Sequence, residues 1–191
     1  MTERSSDSPG PSPSSGGGRV SPAWLALATW FGAGLSPRAP GTVGSVASLV
    51  LWGPMVLLDA PVGARLFAVF VVFAVGVAAA QKVVDVRGED PQVVVIDEVA
   101  GMGIALLFPW ASTWYLLVGF ILFRVFDILK PWPVSWADRQ VGGGFGVMLD
   151  DVIAGAYALL VFVGVVLFAG SLLPDLQGIH GMVISLPRVS P

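Results

Sequence analysis

Four long stretches of this chain hold no Asp, Glu, Lys or Arg: Val43–Leu58, Leu66–Gln81, Val99–Phe123 and Val152–Pro174. That pattern constrains the fold more than any other feature, because a water-soluble domain needs a charged skin over its apolar core. Charged residues make up only 12% of the 191 positions, against about 25% in ordinary soluble domains. Hydrophobic residues make up 55%. The expected class is therefore all-α: a polytopic membrane helix bundle with short helices. A compact protein whose buried helices are merely apolar is the alternative.

Pro109 lies in the middle of Val99–Phe123, so this stretch reads as two short helices around a Pro-Trp-Ala-Ser-Thr turn. Val152–Pro174 is long enough to cross a hydrocarbon core of about 30 Å. Residues 1–22 are expected to be a disordered tail rich in Ser, Pro and Gly, 23–174 one membrane domain, and 175–191 a C-terminal tail. The apolar run Ala23–Phe31 reads as a short interfacial helix rather than a cleaved signal, since the residues before it carry no net positive charge.

With five crossings, Arg4, Arg19, Arg38, Lys82, Arg87, Arg124, Lys130 and Arg139 gather on one membrane face, and only Arg65 and Arg188 fall opposite. The positive-inside rule makes the crowded face cytoplasmic. Asp85, Glu89, Asp90, Asp97, Glu98, Asp127, Asp138, Asp150 and Asp151 share it, while Asp59 and Asp175 do not. Nearly all ionisable groups thus converge on one surface beside apolar helices.

Three blocks on that face have the composition of a site. Asp97-Glu98 follows an apolar run; carboxylates at a membrane edge are costly unless they are paired or bind metal. A helix start with acids facing its dipole would look the same. No Walker A motif accompanies the pair, and no Asp-x-Asp follows the run. Arg124, Asp127 and Lys130 are spaced by three, so they share a helix face until Pro131 ends it. Such a face suits a phosphate beside a divalent ion, or else an ordinary snorkelling helix end. Asp150-Asp151 follows a Gly-rich lead-in at the expected start of the last apolar helix, where it would either cap the helix or offer hard oxygen ligands to Mg²⁺. A weaker fourth block, Ser36–Ser45, places Thr42 and Ser45 at a helix N-terminus that could receive an anion.

The absences narrow the chemistry. There is no Cys, hence no thiolate nucleophile, and the one His, His180, lies on the sparsely charged side. A net charge of −3 leaves no basic surplus for nucleic acid. Magnesium-assisted chemistry on a phosphate remains.

The blocks S-P-R-A-P-G-T-V-G-S (36–45), D-E-V-A-G (97–101), F-R-V-F-D-I-L-K-P-W-P (123–133), D-R (138–139) and G-G-G-F-G-V-M-L-D-D-V-I-A-G (142–155) occur in this order. In that order and content the chain resembles the phosphatidylglycerophosphatase A family over about residues 30–170. The resemblance implies a Mg²⁺-dependent phosphatase of the bacterial cytoplasmic membrane that converts phosphatidylglycerophosphate to phosphatidylglycerol and phosphate. It also implies a phospholipid substrate and a site at the cytoplasmic face. The matching acids are Asp97, Glu98, Asp127, Asp138, Asp150 and Asp151, and the matching cations Arg124, Lys130 and Arg139. On this reading Asp97, Glu98, Asp127, Asp150 and Asp151 are the expected catalytic metal ligands. Arg124, Lys130 and Arg139, helped by Thr42 and Ser45, are the expected phosphate-binding residues. A CDP-alcohol phosphatidyltransferase is disfavoured because its spaced Asp/Gly/Arg pattern is missing. An ion conductor is disfavoured because the acids lie at segment ends. Oligomeric state leaves no trace in the sequence.

Overall fold

The computed structural model describes residues 19–88 and 91–172. The expected tails, apart from residues 19–22, lie outside these, as do Glu89, Asp90, Asp175, His180 and Arg188. The described residues form seven α-helices: α1 (Pro22–Ala28), α2 (Pro40–Leu57), α3 (Val62–Arg87), α4 (Ile96–Ala105), α5 (Thr113–Leu129), α6 (Val134–Gln140) and α7 (Gly143–Leu172). A single 3-10 turn, Ala33–Leu35, joins α1 to α2. Three helices are long and apolar enough to cross a membrane: α2, α3 and α7 over Gly143–Ala169. The chain is an all-helical membrane protein. Of the five expected crossings three are these helices, and the other two fall on the shorter α4 and α5, of 10 and 17 residues.

α7 runs through the middle and packs on α3, α4, α5 and α6. It begins at Gly143, so Asp150 and Asp151 sit well inside a helix and not at its start. That rules out the capping alternative, because their N–H groups already lie within the helical ladder. A second difference concerns Lys130. The α5 helix stops at Leu129, and Lys130 is its C-cap in the left-handed region at φ +42°, so it does not continue the Arg124–Asp127 face. Pro131 has the same part in this as expected, since it cannot continue a helix.

At ten residues α4 is about 15 Å long, half of a hydrocarbon core. Its C-terminus and the turn into α5 expose backbone polar groups that must be satisfied by protein at such depth. They are. Tyr115 Oη accepts the Phe108 N–H at 2.8 Å and donates to the Ala105 carbonyl at 3.0 Å. Arg65, only 1% exposed, donates to the carbonyls of Ala60 (2.9 Å), Phe108 (3.2 Å) and Leu106 (3.5 Å) and to Asp59 (3.4 Å). Trp52 Nε1 donates to the Val99 carbonyl at 2.8 Å. Arg65 on the far face is thus a buried backbone clamp, not a snorkelling surface cation.

At the opposite end, the Val95 N–H donates to the Ala28 carbonyl at 2.9 Å. The Val95 side chain fills the space beside Gly44, where an added Cβ would meet its Cβ at 2.6 Å. These contacts fix the start of α4 against α1 and α2. The site is built there.

Candidate active site

One pocket of about 370 Å³ opens where α2, α4 and α7 begin and α3 and α5 end. Asp97, Glu98, Asp127, Asp138, Asp150 and Asp151 line it together with Arg124 and Lys130. Six carboxylates therefore face two cations, a formal excess of four negative charges. All five expected metal ligands and two of the expected phosphate-binding residues meet in this pocket.

Each cation sits between two acids. Arg124 forms an ion pair with Asp127 and approaches Glu98 at 3.9 Å. Lys130 bonds to Asp138 and reaches Asp150 at 2.9 Å. Because of the left-handed cap, the Lys130 side chain bridges α6 and α7. Burial works against its charge, but the bonds to Asp138 and Asp150 outweigh that and raise its pKa.

Asp97 and Asp151 pair with no Lys or Arg among the described residues. Together with Glu98 they place one carboxylate oxygen each within 4.8 Å of one another. Burial pushes the Glu98 carboxyl up to about 8; Asp151 and Asp127 add to the rise, and Asp97 and Arg124 oppose it. Asp97 is raised as well, first by burial and then by the Glu98 charge. Glu98 Oε2 is buried with no hydrogen-bond partner. An orphaned carboxylate oxygen beside two acids that lack a Lys or Arg partner fits a hard divalent cation, which takes oxygen ligands at roughly 2.0–2.6 Å. The trio can hold a metal ion.

The trio meets because two helices cross without side chains between them. A Cβ on Gly155 would lie 3.1 Å from the Gly101 Cα, and one on Gly101 would lie 2.6 Å from the Asp151 carbonyl oxygen. Gly101 is four residues after Asp97, and Gly155 four after Asp151. Each acid therefore stands one helical turn from the crossing, on the same side of its helix as the glycine. Ala100 and Ala154, both fully buried, precede the two glycines. The pentapeptides D-E-V-A-G and D-V-I-A-G are thus one device used twice.

Three expected residues stay outside the pocket lining. Thr42 does not reach it. Ser45 is buried, and its hydroxyl donates to the Gly41 carbonyl at 2.8 Å and accepts from Arg124 at 3.5 Å, so it steadies Arg124. Arg139 points away as an exposed side chain on α6, one position beyond the pocket-lining Asp138. The pocket also depends on Gly41, within the Ser36–Ser45 block, and on Gln81, which the sequence did not single out. Gly41 packs so closely that a Cβ would come within 3.2 Å of Arg124 Nη1. Gln81 accepts the Gly144 N–H at 2.7 Å and donates to Asp85 at 2.8 Å, fixing the glycine run at the start of α7. No periodicity marks a Gln at the end of the apolar run Leu66–Gln81.

Comparison with known proteins agrees with this site. The sequence model of the family described as Phosphatidylglycerophosphatase A matches residues 26–166. The chain is 39% identical over 150 residues to phosphatidylglycerophosphatase A of Escherichia coli, covering 76% of this chain and 86% of that protein. It is 41% identical over 139 residues to the Haemophilus influenzae protein of the same name, covering 71% and 83%. A Bacteroides thetaiotaomicron protein, provisionally named a phosphatidylinositol-3-phosphatase, is 41% identical over 142 residues, covering 71% and 88%. No solved structure matches significantly. With the match spanning every pocket-lining residue, the chain belongs to the phosphatidylglycerophosphatase A family.

Proposed function

We propose that the chain hydrolyses the terminal phosphate monoester of phosphatidylglycerophosphate, with Mg²⁺, at the cytoplasmic face of the bacterial inner membrane. Water adds to phosphorus, the P–O bond to the glycerol carbon's oxygen breaks, and phosphatidylglycerol takes up a proton as inorganic phosphate leaves. The observation that carries this reading is the meeting of unpaired carboxylates with Arg124 and Lys130 at the ends of membrane helices, in a chain of this family.

Asp97, Glu98 and Asp151 would hold the cation. When bound, Mg²⁺ offsets phosphate charge and favours attack by water. Arg124 and Lys130 orient phosphate oxygens, and their own carboxylate partners, Asp127 and Asp150, keep both heads in place. Positioning of this kind dominates phosphoryl transfer, where the transition state is loose. Ser45 acts through Arg124. Arg139 and Thr42, which lie outside the pocket, have no direct part in gripping the reacting phosphate.

The test is phosphate release by the purified protein from phosphatidylglycerophosphate and, separately, from phosphatidylinositol 3-phosphate. Release from the first, lost on chelation and restored by Mg²⁺, is expected. Preference for the inositol lipid would transfer the substrate assignment to that of the Bacteroides relative. Release of phosphate from neither lipid would overturn the proposal.

The electrostatics set a pH dependence. With the Glu98 carboxyl pushed up to about 8, the cation-free trio keeps a proton at neutral pH, and an arriving cation must displace it. Apparent Mg²⁺ affinity should therefore strengthen as pH rises from 6 towards 8. Activation constants measured from pH 6 to 9 check this; a flat profile would contradict it.

A further inference from the structure

The rim of the pocket is sharply two-sided. On the α3 side the exposed side chains are the polar Lys82, Asp85, Arg87 and Gln92, with Val86 the one apolar exception. On the α5–α6 side four large apolar side chains are exposed, Ile128 (67%), Leu129 (71%), Trp132 (77%) and Trp136 (49%), ahead of the exposed polar end of α6 at Asp138, Arg139 and Gln140. These apolar residues alternate with pocket-lining ones, since Lys130 and Asp138 of the same segment face inward. The left-handed cap at Lys130 makes this possible. It reverses the chain between Leu129 and Trp132, so the ammonium turns into the pocket while its neighbours stay outside.

Four large apolar side chains on a short exposed turn need a cover. The dimensions of α5 say which. Exposed Trp114 stands at its start and exposed Trp132 just past its end, 18 positions apart. At 1.5 Å per residue the 17-residue α5 is about 25 Å long, near the ~30 Å hydrocarbon thickness, and Trp is the residue that marks both membrane interfaces. The α5–α6 turn then lies at headgroup depth. Its Tyr157 tie, a hydroxyl donating to the Trp132 carbonyl at 3.0 Å, holds it there against α7.

Resting on the proposed lipid phosphatase reading, we infer that the Ile128–Trp136 lip is a lipid portal: the interfacial layer of the bilayer covers it, and the phospholipid substrate reaches the pocket across it. The acyl chains stay beside α5 while the phosphate end passes Lys130. The polar α3 rim faces water and is the side from which inorganic phosphate departs.

The test uses the full chain and two forms of phosphatidylglycerophosphate, one long-chain in phosphatidylcholine vesicles, the other dihexanoyl and dissolved as monomers. Trp132→Ser/Trp136→Ser alters only exposed side chains. It should raise apparent KM on vesicles at least about fivefold with kcat nearly unchanged, and leave the soluble substrate unaffected. Lys82→Ser/Arg87→Ser on the facing rim should change neither. Fluorescence quenching by brominated phosphatidylcholine should fall in Trp132→Phe. Equal losses on both substrates, no change on vesicles, or undiminished quenching in Trp132→Phe would each overturn the portal. A wild type that hydrolyses neither substrate would overturn the phosphatase reading instead, and the quenching result would still judge whether the lip is covered by lipid.

Discussion

Asp151→Asn is expected to lower kcat for phosphate release by roughly 10²–10³-fold while leaving the protein folded and no less stable. The two effects run in opposite directions for one reason. Asp151 is 3% exposed, has no Lys or Arg partner among the described residues, and stands within 4.8 Å of Asp97 and Glu98 through their carboxylate oxygens. A buried, unpaired carboxylate beside two others is a liability to the fold, so an isosteric amide relieves repulsion. The same change removes one negative charge from the only cluster able to hold a cation among the described residues. Phosphate release at saturating substrate and a thermal melt in the same detergent check both halves. An active variant, or an inactive one that has also lost its cooperative melt, would speak against this division.

Gly155→Val is expected to abolish activity although residue 155 does not line the pocket. A Cβ there would overlap the Gly101 carbonyl oxygen, closer than real Cβ contacts allow against backbone, and would lie 3.0 Å from the carbonyl carbon. Backbone cannot give way as a flexible side chain can, so α7 must move off α4. Asp151 moves with it, away from Asp97 and Glu98. Overpacking of this kind costs about 1–3 kcal/mol, which a bundle with this much helix contact survives. Loss of turnover of at least about 100-fold with helical circular dichroism retained is the outcome to look for. Gly164→Val is the control, because a Cβ at Gly164 of the same helix meets nothing within 4 Å. Comparable activity in both variants would remove the crossing from the account.

The sequence made the membrane bundle legible because charge is excluded from four long runs, and no packing detail is needed to see that. It also made the pocket legible in outline, since acids and cations confined to segment ends on one face have few places to go. Helix ends were harder to read. Asp150-Asp151 looks like a helix start because glycines precede it, yet Gly143, Gly144 and Gly146 belong to α7. Gly144 is there to let α3 approach: an added Cβ would come within 2.5 Å of the Gln81 nitrogen. Lys130 looked like a third member of the Arg124–Asp127 face because spacing alone cannot reveal a left-handed cap. Arg65 looked like a charge at a membrane edge, whereas it closes the backbone of the α4–α5 turn. The repeated D-x-x-A-G, by contrast, was visible in the letters. Its meaning needed the crossing of α4 and α7 to be seen.

Asp97, Glu98 and Asp151 are brought together across the Gly101–Gly155 crossing, where they could hold one divalent cation. Titration of the purified protein with Mn²⁺, followed by electron paramagnetic resonance of the free ion, measures this without any turnover. Saturable binding by the wild type, competed by Mg²⁺ and lost in both Asp97→Asn and Asp151→Asn, is the predicted result. Unchanged Mn²⁺ binding in those two variants would contradict it.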